Sequence, residues 1–168
     1  MVESSKNVSH NTGMGSTWNA NSWHWEERNY SGFATTFLKD ILCKVEVTVG
    51  DAVICIYEVK TLTGSANVTI RKGKQLFMFE FESELYFKAK HISDGVQECS
   101  GKIKLFEFNQ EDDELNGEVT CEKPGTWCDN VRRAIRKEVM AALLVEIMKL
   151  PAAMKARDVD ENKLKADK

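Results

Sequence analysis

The chain has 168 residues, a net charge of −3, and hydrophobic and charged fractions of 42% and 29%. One substantial core fits that length, and the fractions are those of a folded protein rather than a disordered tail. The negative balance argues against nucleic-acid binding, which needs a strongly basic face, and no apolar run of about eighteen residues is present to span a membrane. Residues Met1 to Lys6 lack the apolar centre of a signal peptide. Five cysteines, at 43, 55, 99, 121 and 128, form no Cys-x-x-Cys pair, which argues against a zinc knuckle or a thioredoxin-like site. Cys55 and Cys121 fall in apolar runs and read as small core residues. A reducing, cytoplasmic setting suits them.

Residues 1–18 are polar and are expected to be a disordered tail ahead of a domain over 19–151. A helix is predicted from Ser31, as N-cap, to Cys43, because Phe33, Phe37 and Ile41 recur every four residues with Ala34, Leu38 and Leu42 beside them. Strands follow. Val53, Cys55, Tyr57 and Val59 alternate with Ile54, Ile56, Glu58 and Lys60; Thr63-Gly64-Ser65 supplies a turn; Ala66, Val68 and Ile70 alternate again, which predicts a hairpin with one face buried. A second turn falls at Arg71-Lys72-Gly73-Lys74, where Gly73 permits a positive φ.

A long strand comes next, with Phe77, Phe79, Phe81, Leu85 and Phe87 on one face and Glu80, Glu82, Glu84 and Lys88 on the other. Leu76 and Met78 make its first part apolar on both faces, so that part is either covered twice or offers an apolar strip to a partner. Strands at about Gly101–Phe108 and Leu115–Cys121 are joined by Asn109 to Glu114. Thr126 or Asp129 caps a longer helix carrying the stripe Val131, Ile135, Val139, Leu143 and Ile147, ended or kinked by Pro151. Met140, Leu144 and Met148 read as core packing, with a partner groove as the alternative. Residues 152–168, rich in alternating charges, read as a charged tail or the opening of a linker. The expected class is α+β: an N-terminal helix, a four-to-five-stranded antiparallel meander sheet, and a long C-terminal helix packed on the sheet.

Catalytic chemistry finds no support in these residues. His10, His24 and His91 have no nucleophile–base arrangement around them, and no glycine-rich phosphate loop follows a strand. Glu80, Glu82 and Glu84 could hold a metal but read as a solvated strand face. No catalytic residue, cofactor site or metal site is expected, and the chain is read as a non-enzyme.

Two segments stand apart. Asn19-Ala-Asn21-Ser22-Trp23-His24-Trp25 places two indoles on one side of an extended chain, with His24 opposite. Trp23 and Trp25 would anchor the segment on the domain, and Asn19, Asn21 and His24 would face a partner. Arg71-Lys72-Gly73-Lys74 concentrates three cations on a tight turn, where they can pair with a partner's carboxylates. The acidic run Glu111, Asp112, Asp113 and Glu114 reads as a solvated loop or, alternatively, as a patch that steers a basic surface.

The two segments, with Leu62-Thr63-Gly64-Ser65-Ala66 leading into the second, resemble the amino-terminal domain of the activators of the heat-shock protein 90 ATPase, a family of co-chaperones. The family shows Asn-x-Asn-Asn-Trp-His-Trp and then an acidic and basic pair, as in Glu26, Glu27 and Arg28 here; the likeness runs over roughly residues 17–150. Ser22 stands where the family has a second asparagine, and Ser65 where it often has an acidic residue, which puts in doubt a contact needing a carboxylate there. The resemblance implies a four-stranded meander holding a long C-terminal helix, and a cytoplasmic co-chaperone that binds the middle domain of heat-shock protein 90, with its N-terminal domain as a further contact. It implies that the basic turn stimulates the chaperone's ATPase by helping to reposition a catalytic loop, and that any ATP belongs to the partner. Family members often carry a second domain beyond a flexible linker, and the charged end after Pro151 fits the opening of one. The protein alone is expected to be monomeric, with neither nucleic acid nor membrane as partner. Alternatives from other classes are a lipid or small-ligand carrier whose phenylalanine face lines a cavity, and an ATP-independent holdase.

Overall fold

The computed structural model describes residues 25–166. Ala52–Arg71 forms one strand of 20 residues, β3, and Lys74–His91 forms its 18-residue antiparallel partner β4. Glu98–Asn109 (β5) and Gly117–Cys121 (β6) extend the sheet on one side, and the short strands Glu26–Asn29 (β1) and Glu46–Val49 (β2) pair with opposite ends of β3 on the other. The sheet therefore has six strands, ordered β1-β3-β4-β5-β6 with β2 also on β3. Sequence alternation finds the four-stranded meander but not the two flanking strands of four residues each, which are too short to establish a period.

Helix α1, Ser31–Leu42, links β1 to β2 and lies against β3. Helix α2 (Thr126–Ala134), a π-helical segment (Ile135–Val139) and helix α3 (Met140–Ile147) continue one another, and helix α4 runs from Leu150 to Ala166. The expected stripe of Val131, Ile135, Val139, Leu143 and Ile147 is fully buried, and Met140 with it. Leu144 and Met148 pack partly buried against the same core. Opposite them stand Phe79, Phe81, Leu85, Phe87 and Ala89 of β4, with Ile103, Leu105 and Phe108 of β5. The rings of Phe79, Phe81 and Phe108 tilt against each other at centroid distances of 6.5 and 6.4 Å. Each such ring removed from water contributes about 2–3 kcal/mol. The aromatic face that a carrier would need for its cavity is thus occupied by packing.

Several local expectations are corrected. Thr63-Gly64-Ser65 makes no turn, because β3 passes straight through it. Gly64 has φ +153 and sits opposite Phe81; a Cβ there would overlap the Glu80 carbonyl oxygen and lie 2.7 Å from Phe81 Cα. The glycine serves close approach of two backbones, not chain reversal. Tyr30, not Ser31, precedes α1, and the Ser31 hydroxyl instead accepts the Ala66 N–H at 3.0 Å, while Asn29 Oδ1 accepts the Ser31 N–H. Neither Thr126 nor Asp129 caps α2 through its side chain; Gly125 precedes the helix and its carbonyl takes the Asp129 N–H at 3.0 Å.

Pro151 neither ends nor kinks the long helix. The chain breaks at Met148 and Lys149, and proline occupies the first turn of α4, where a missing N–H costs no helical bond. Residues 152–166 of the stretch read as a charged tail or the opening of a linker continue that helix, with Met154 and Asp158 fully buried. Residues 1–24, where a disordered tail is expected for 1–18, lie outside the described residues.

Gly64→Ala is expected to lower stability by about 3 kcal/mol, combining a left-handed φ with overlap against backbone. Urea unfolding measures it, and an unchanged midpoint would mean that the two strands can separate locally at no cost.

Candidate partner-binding site

At the far end of the β3–β4 hairpin, Lys72 and Gly73 both take positive φ, +51 and +75, as the tightest hairpin turns require. Arg71 faces Lys74 across the ladder, and all four turn residues are exposed. Pairing of β4 with β5 stops at Glu80, opposite Asn109, so residues 74–79 project past β5 by about 20 Å. Strand alternation sends Ile70, Val68 and Ala66 inward and Arg71, Thr69 and Asn67 outward, where Thr69 is nonetheless buried.

The outward face at this end is apolar and basic together. Leu76 and Met78 are 57% and 47% exposed, cross-strand from Thr69 and Asn67. Among the described residues, double cover of Leu76 and Met78 is not found. Trp25, one residue before the Glu26–Ile70 pair, brings its ring to 5.7 Å from the Arg71 guanidinium, a cation–π contact. Trp25 is 56% exposed, so it is not the buried anchor expected of it. The register explains the difference: Glu26 and Arg28 take the inward positions of β1, which turns Trp25 outward. Asn19, Asn21, Trp23 and His24 lie outside the described residues.

The acidic loop between β5 and β6 meets the same face farther along. A groove of about 350 Å³ is lined by Ser65, Asn67, Met78, Glu80, Gln110 and Glu111, which joins the apolar strip to the loop. Glu111 and Asp113 are exposed, whereas Asp112 is engaged, its carboxylate accepting the Asn109 N–H at 2.8 Å. Acidic character extends onto the sheet. Repulsion from Glu80 in the first place, with partial desolvation and the charges of Glu82 and Asp112, holds the Glu107 carboxyl above its ordinary range.

Behind the basic turn lies a cluster that sequence reasoning missed. Asp158 of α4 has no exposed surface, and its carboxylate accepts Arg28 Nε at 2.7 Å, Arg28 Nη2 at 2.8 Å, Tyr30 Oη at 2.6 Å and Gln75 Nε2 at 2.9 Å. Glu161 Oε2 lies 3.0 Å from the same hydroxyl. Burial works against the Arg28 charge, but the bonds and attraction of Asp158 outweigh it and raise the guanidinium above its ordinary value. Burial, then the Asp158 hydrogen bond, pushes the Tyr30 phenol well above its usual range. A faint signal was present: Ile147, Leu150, Met154 and Asp158 follow at helical spacings, with a carboxylate ending an apolar stripe.

The family described as "Activator of Hsp90 ATPase, N-terminal" matches residues 27–158. The human "Activator of 90 kDa heat shock protein ATPase homolog 1" is 31% identical over 130 residues, 77% of this chain and 38% of that protein. Its mouse counterpart is 33% identical over 128 residues, 76% of this chain and 37% of that protein. "Hsp90 co-chaperone HCH1" of Saccharomyces cerevisiae is 25% identical over 107 residues, 58% of this chain and 69% of that protein. Among solved structures, Aha-1 from Plasmodium falciparum superposes with a TM-score of 0.72 at 19% identity, covering 83% of this chain and 93% of that one. The human Aha1 N-terminal domain in solution gives 0.58 at 24% identity, covering 77% and 94%. These two share the fold. The chain belongs to the family of the N-terminal domain of activators of Hsp90 ATPase. Its relatives bear the names of co-chaperones and ATPase activators rather than of enzymes, and it spans under two fifths of the human and mouse proteins, 38% and 37%.

Tyr30 generates a titration prediction. The fold holds the neutral phenol, so its contribution is intact below the ordinary tyrosine pKa of about 10 and is lost as pH rises beyond it, where the unfolded chain ionises first. Ultraviolet absorbance should show that Tyr30 stays neutral while the protein is folded and ionises only with alkaline unfolding. Ionisation of Tyr30 before unfolding would break the account.

Proposed function

We propose that this chain is a co-chaperone domain that docks on the middle domain of Hsp90 and stimulates ATP hydrolysis there, without catalysing a reaction itself. One observation carries the reading: two segments about fifty residues apart in sequence meet at one sheet end, where Trp25 contacts Arg71 beside Lys72, Lys74, Leu76 and Met78. Leu76, Met78 and Trp25 supply apolar area, while the three cations supply directed charge. Stimulation then follows from differential binding, with the basic turn contacting the chaperone's hydrolysis-competent state better than its open one. Each tenfold preference corresponds to about 1.4 kcal/mol. The chaperone's N-terminal domain is a further contact for residues 19–24. The acidic loop steers the approach, and the domain acts as a monomer in the cytoplasm; among the described residues no helix is long and apolar enough to cross a membrane.

The exposed Trp25–Leu76–Met78 strip also favours a second reading, an ATP-independent holdase. Suppression of aggregation of a model client without any chaperone present would support it.

Two measurements test the first reading. Replacing Arg71, Lys72 and Lys74 together by alanine should abolish most of the maximal ATPase stimulation while weakening binding by only about 1 kcal/mol, because an exposed turn offers little buried area. Proportional loss of both would make the turn a simple anchor. Calorimetric titration against the isolated middle domain should show affinity falling as salt rises. A salt-independent affinity would leave the apolar strip as the whole of the contact.

A further inference from the structure

Asp158 sits on the hidden side of the sheet end whose outer side carries the basic turn. Its bonds reach 130 residues back to Arg28 and 83 back to Gln75. Arg28 lies three positions from Trp25, and Gln75 is the neighbour of Lys74. One carboxylate therefore holds β1 and β4, two of the strands that present the outward surface. A buried ion pair is a poor device for stability alone, since apolar residues of similar volume serve as well or better. The surroundings here, Met154, Ile70 and Val68, are apolar and fully buried. What the carboxylate adds is direction: the two-pronged Arg28 contact fixes the guanidinium plane, and the Gln75 bond fixes the first inward residue of β4.

We propose that Asp158 is a positioning residue for the partner contact, orienting β1 and the turn end of the β3–β4 hairpin from α4 so that Trp25, Arg71 and Lys74 meet the partner as one rigid surface. The inference rests on the reading given under Proposed function. It acts through the turn and touches no partner atom. Its signature is loss of maximal stimulation at nearly constant affinity, together with loosening of the turn in the free protein.

The test compares Asp158→Asn, Gln75→Met and Met154→Ala with the unaltered chain. Asp158→Asn removes the charge; Gln75→Met cuts only the tether to the hairpin and keeps the Arg28–Asp158 pair; Met154→Ala weakens α4 through its core contact alone. Amide exchange of the free proteins reports residues 72–76, and titration of Hsp90 ATPase reports maximal stimulation and half-saturating concentration separately. Asp158→Asn should speed exchange at the turn by about tenfold or more and cut maximal stimulation by about threefold or more, with half-saturation moved by less than about twofold. Gln75→Met should give the same split in smaller measure, so the test survives if Asp158→Asn fails to fold. Equal loss of stimulation in Met154→Ala, at matched melting temperature, would reduce Asp158 to a stability role and overturn the proposal. So would unchanged exchange and stimulation in Gln75→Met. If the unaltered chain itself fails to stimulate Hsp90, the functional reading falls and the positioning role falls with it; if it stimulates and the variants do not differ from it, the positioning role alone falls.

Discussion

The register of the β3–β4 ladder is the constraint on which the other elements depend. Strand β4 keeps strict parity, with Phe79, Phe81, Ser83, Leu85, Phe87 and Ala89 all buried. Strand β3 keeps step with it only through two bulges, at Ile56/Glu58 and Val59/Thr61. Before the first, Ala52, Ile54 and Ile56 point inward; between them Val59 does; after the second, Leu62, Gly64, Ala66, Val68 and Ile70 do. Each bulge flips the side-chain parity, and two flips restore it. The bulged residues Tyr57 and Lys60 face outward, where Tyr57 stacks on Tyr86 at 6.0 Å and Lys60 lies 5.6 Å from the Tyr86 ring. Had β3 carried one bulge instead of two, Arg71 would point into the core and Ile70 into water.

The proposed partner-binding surface inherits its layout from that register. Glu26 pairs with Ile70 and Arg71 with Lys74, so β1 delivers Trp25 beside the hairpin end on the outward face and Arg28 to Asp158 on the inward one. The same alternation thus divides one short strand between presentation and anchorage. Helix α4 closes the inward side, and its charged sequence is reconciled with burial by giving Asp158 four donor contacts. An isolated carboxylate in that place would be costly. A fully bonded one is not.

Much of this is legible in the sequence where periods are long. The helical stripe from Val131 to Ile147 and the phenylalanine face of β4 are each repeated often enough to fix both element type and buried side. What escapes is short or ambiguous. Strands β1 and β2 give two inward positions each, too few to show a period. Gly64 between Thr63 and Ser65 has turn composition, and only the approach of Phe81 from the neighbouring strand shows why a glycine stands there. The tail reading of α4 follows from charge density, which does not reveal that one of those charges has partners far back in the chain. Similarly, the placing of Trp25 depends on which parity of β1 faces the core. The tetrad Arg71-Lys72-Gly73-Lys74 is readable because a tight turn is a local matter, and its two positive φ values bear out the expectation at Gly73.

Activation through binding places a demand on such a surface that simple anchoring does not. A contact that is equally good in every state of a partner shifts no equilibrium, however tight it is. In the proposed role, the sheet end separates two kinds of contact. Leu76 and Met78 lie on the strand itself and offer area of fixed shape, suited to a partner surface that does not change. The turn beyond them projects past β5 and carries charge at its extremity, where the Coulomb energy with an approaching group changes most steeply with distance. A flexible projection would follow the partner into any state and discriminate none. Lys72 and Gly73 in a tight turn, Trp25 against Arg71, and Gln75 held by Asp158 all reduce that freedom. In the proposed role, rigidity at the end of the hairpin is therefore the physical property that would let a small basic turn choose between states of a partner.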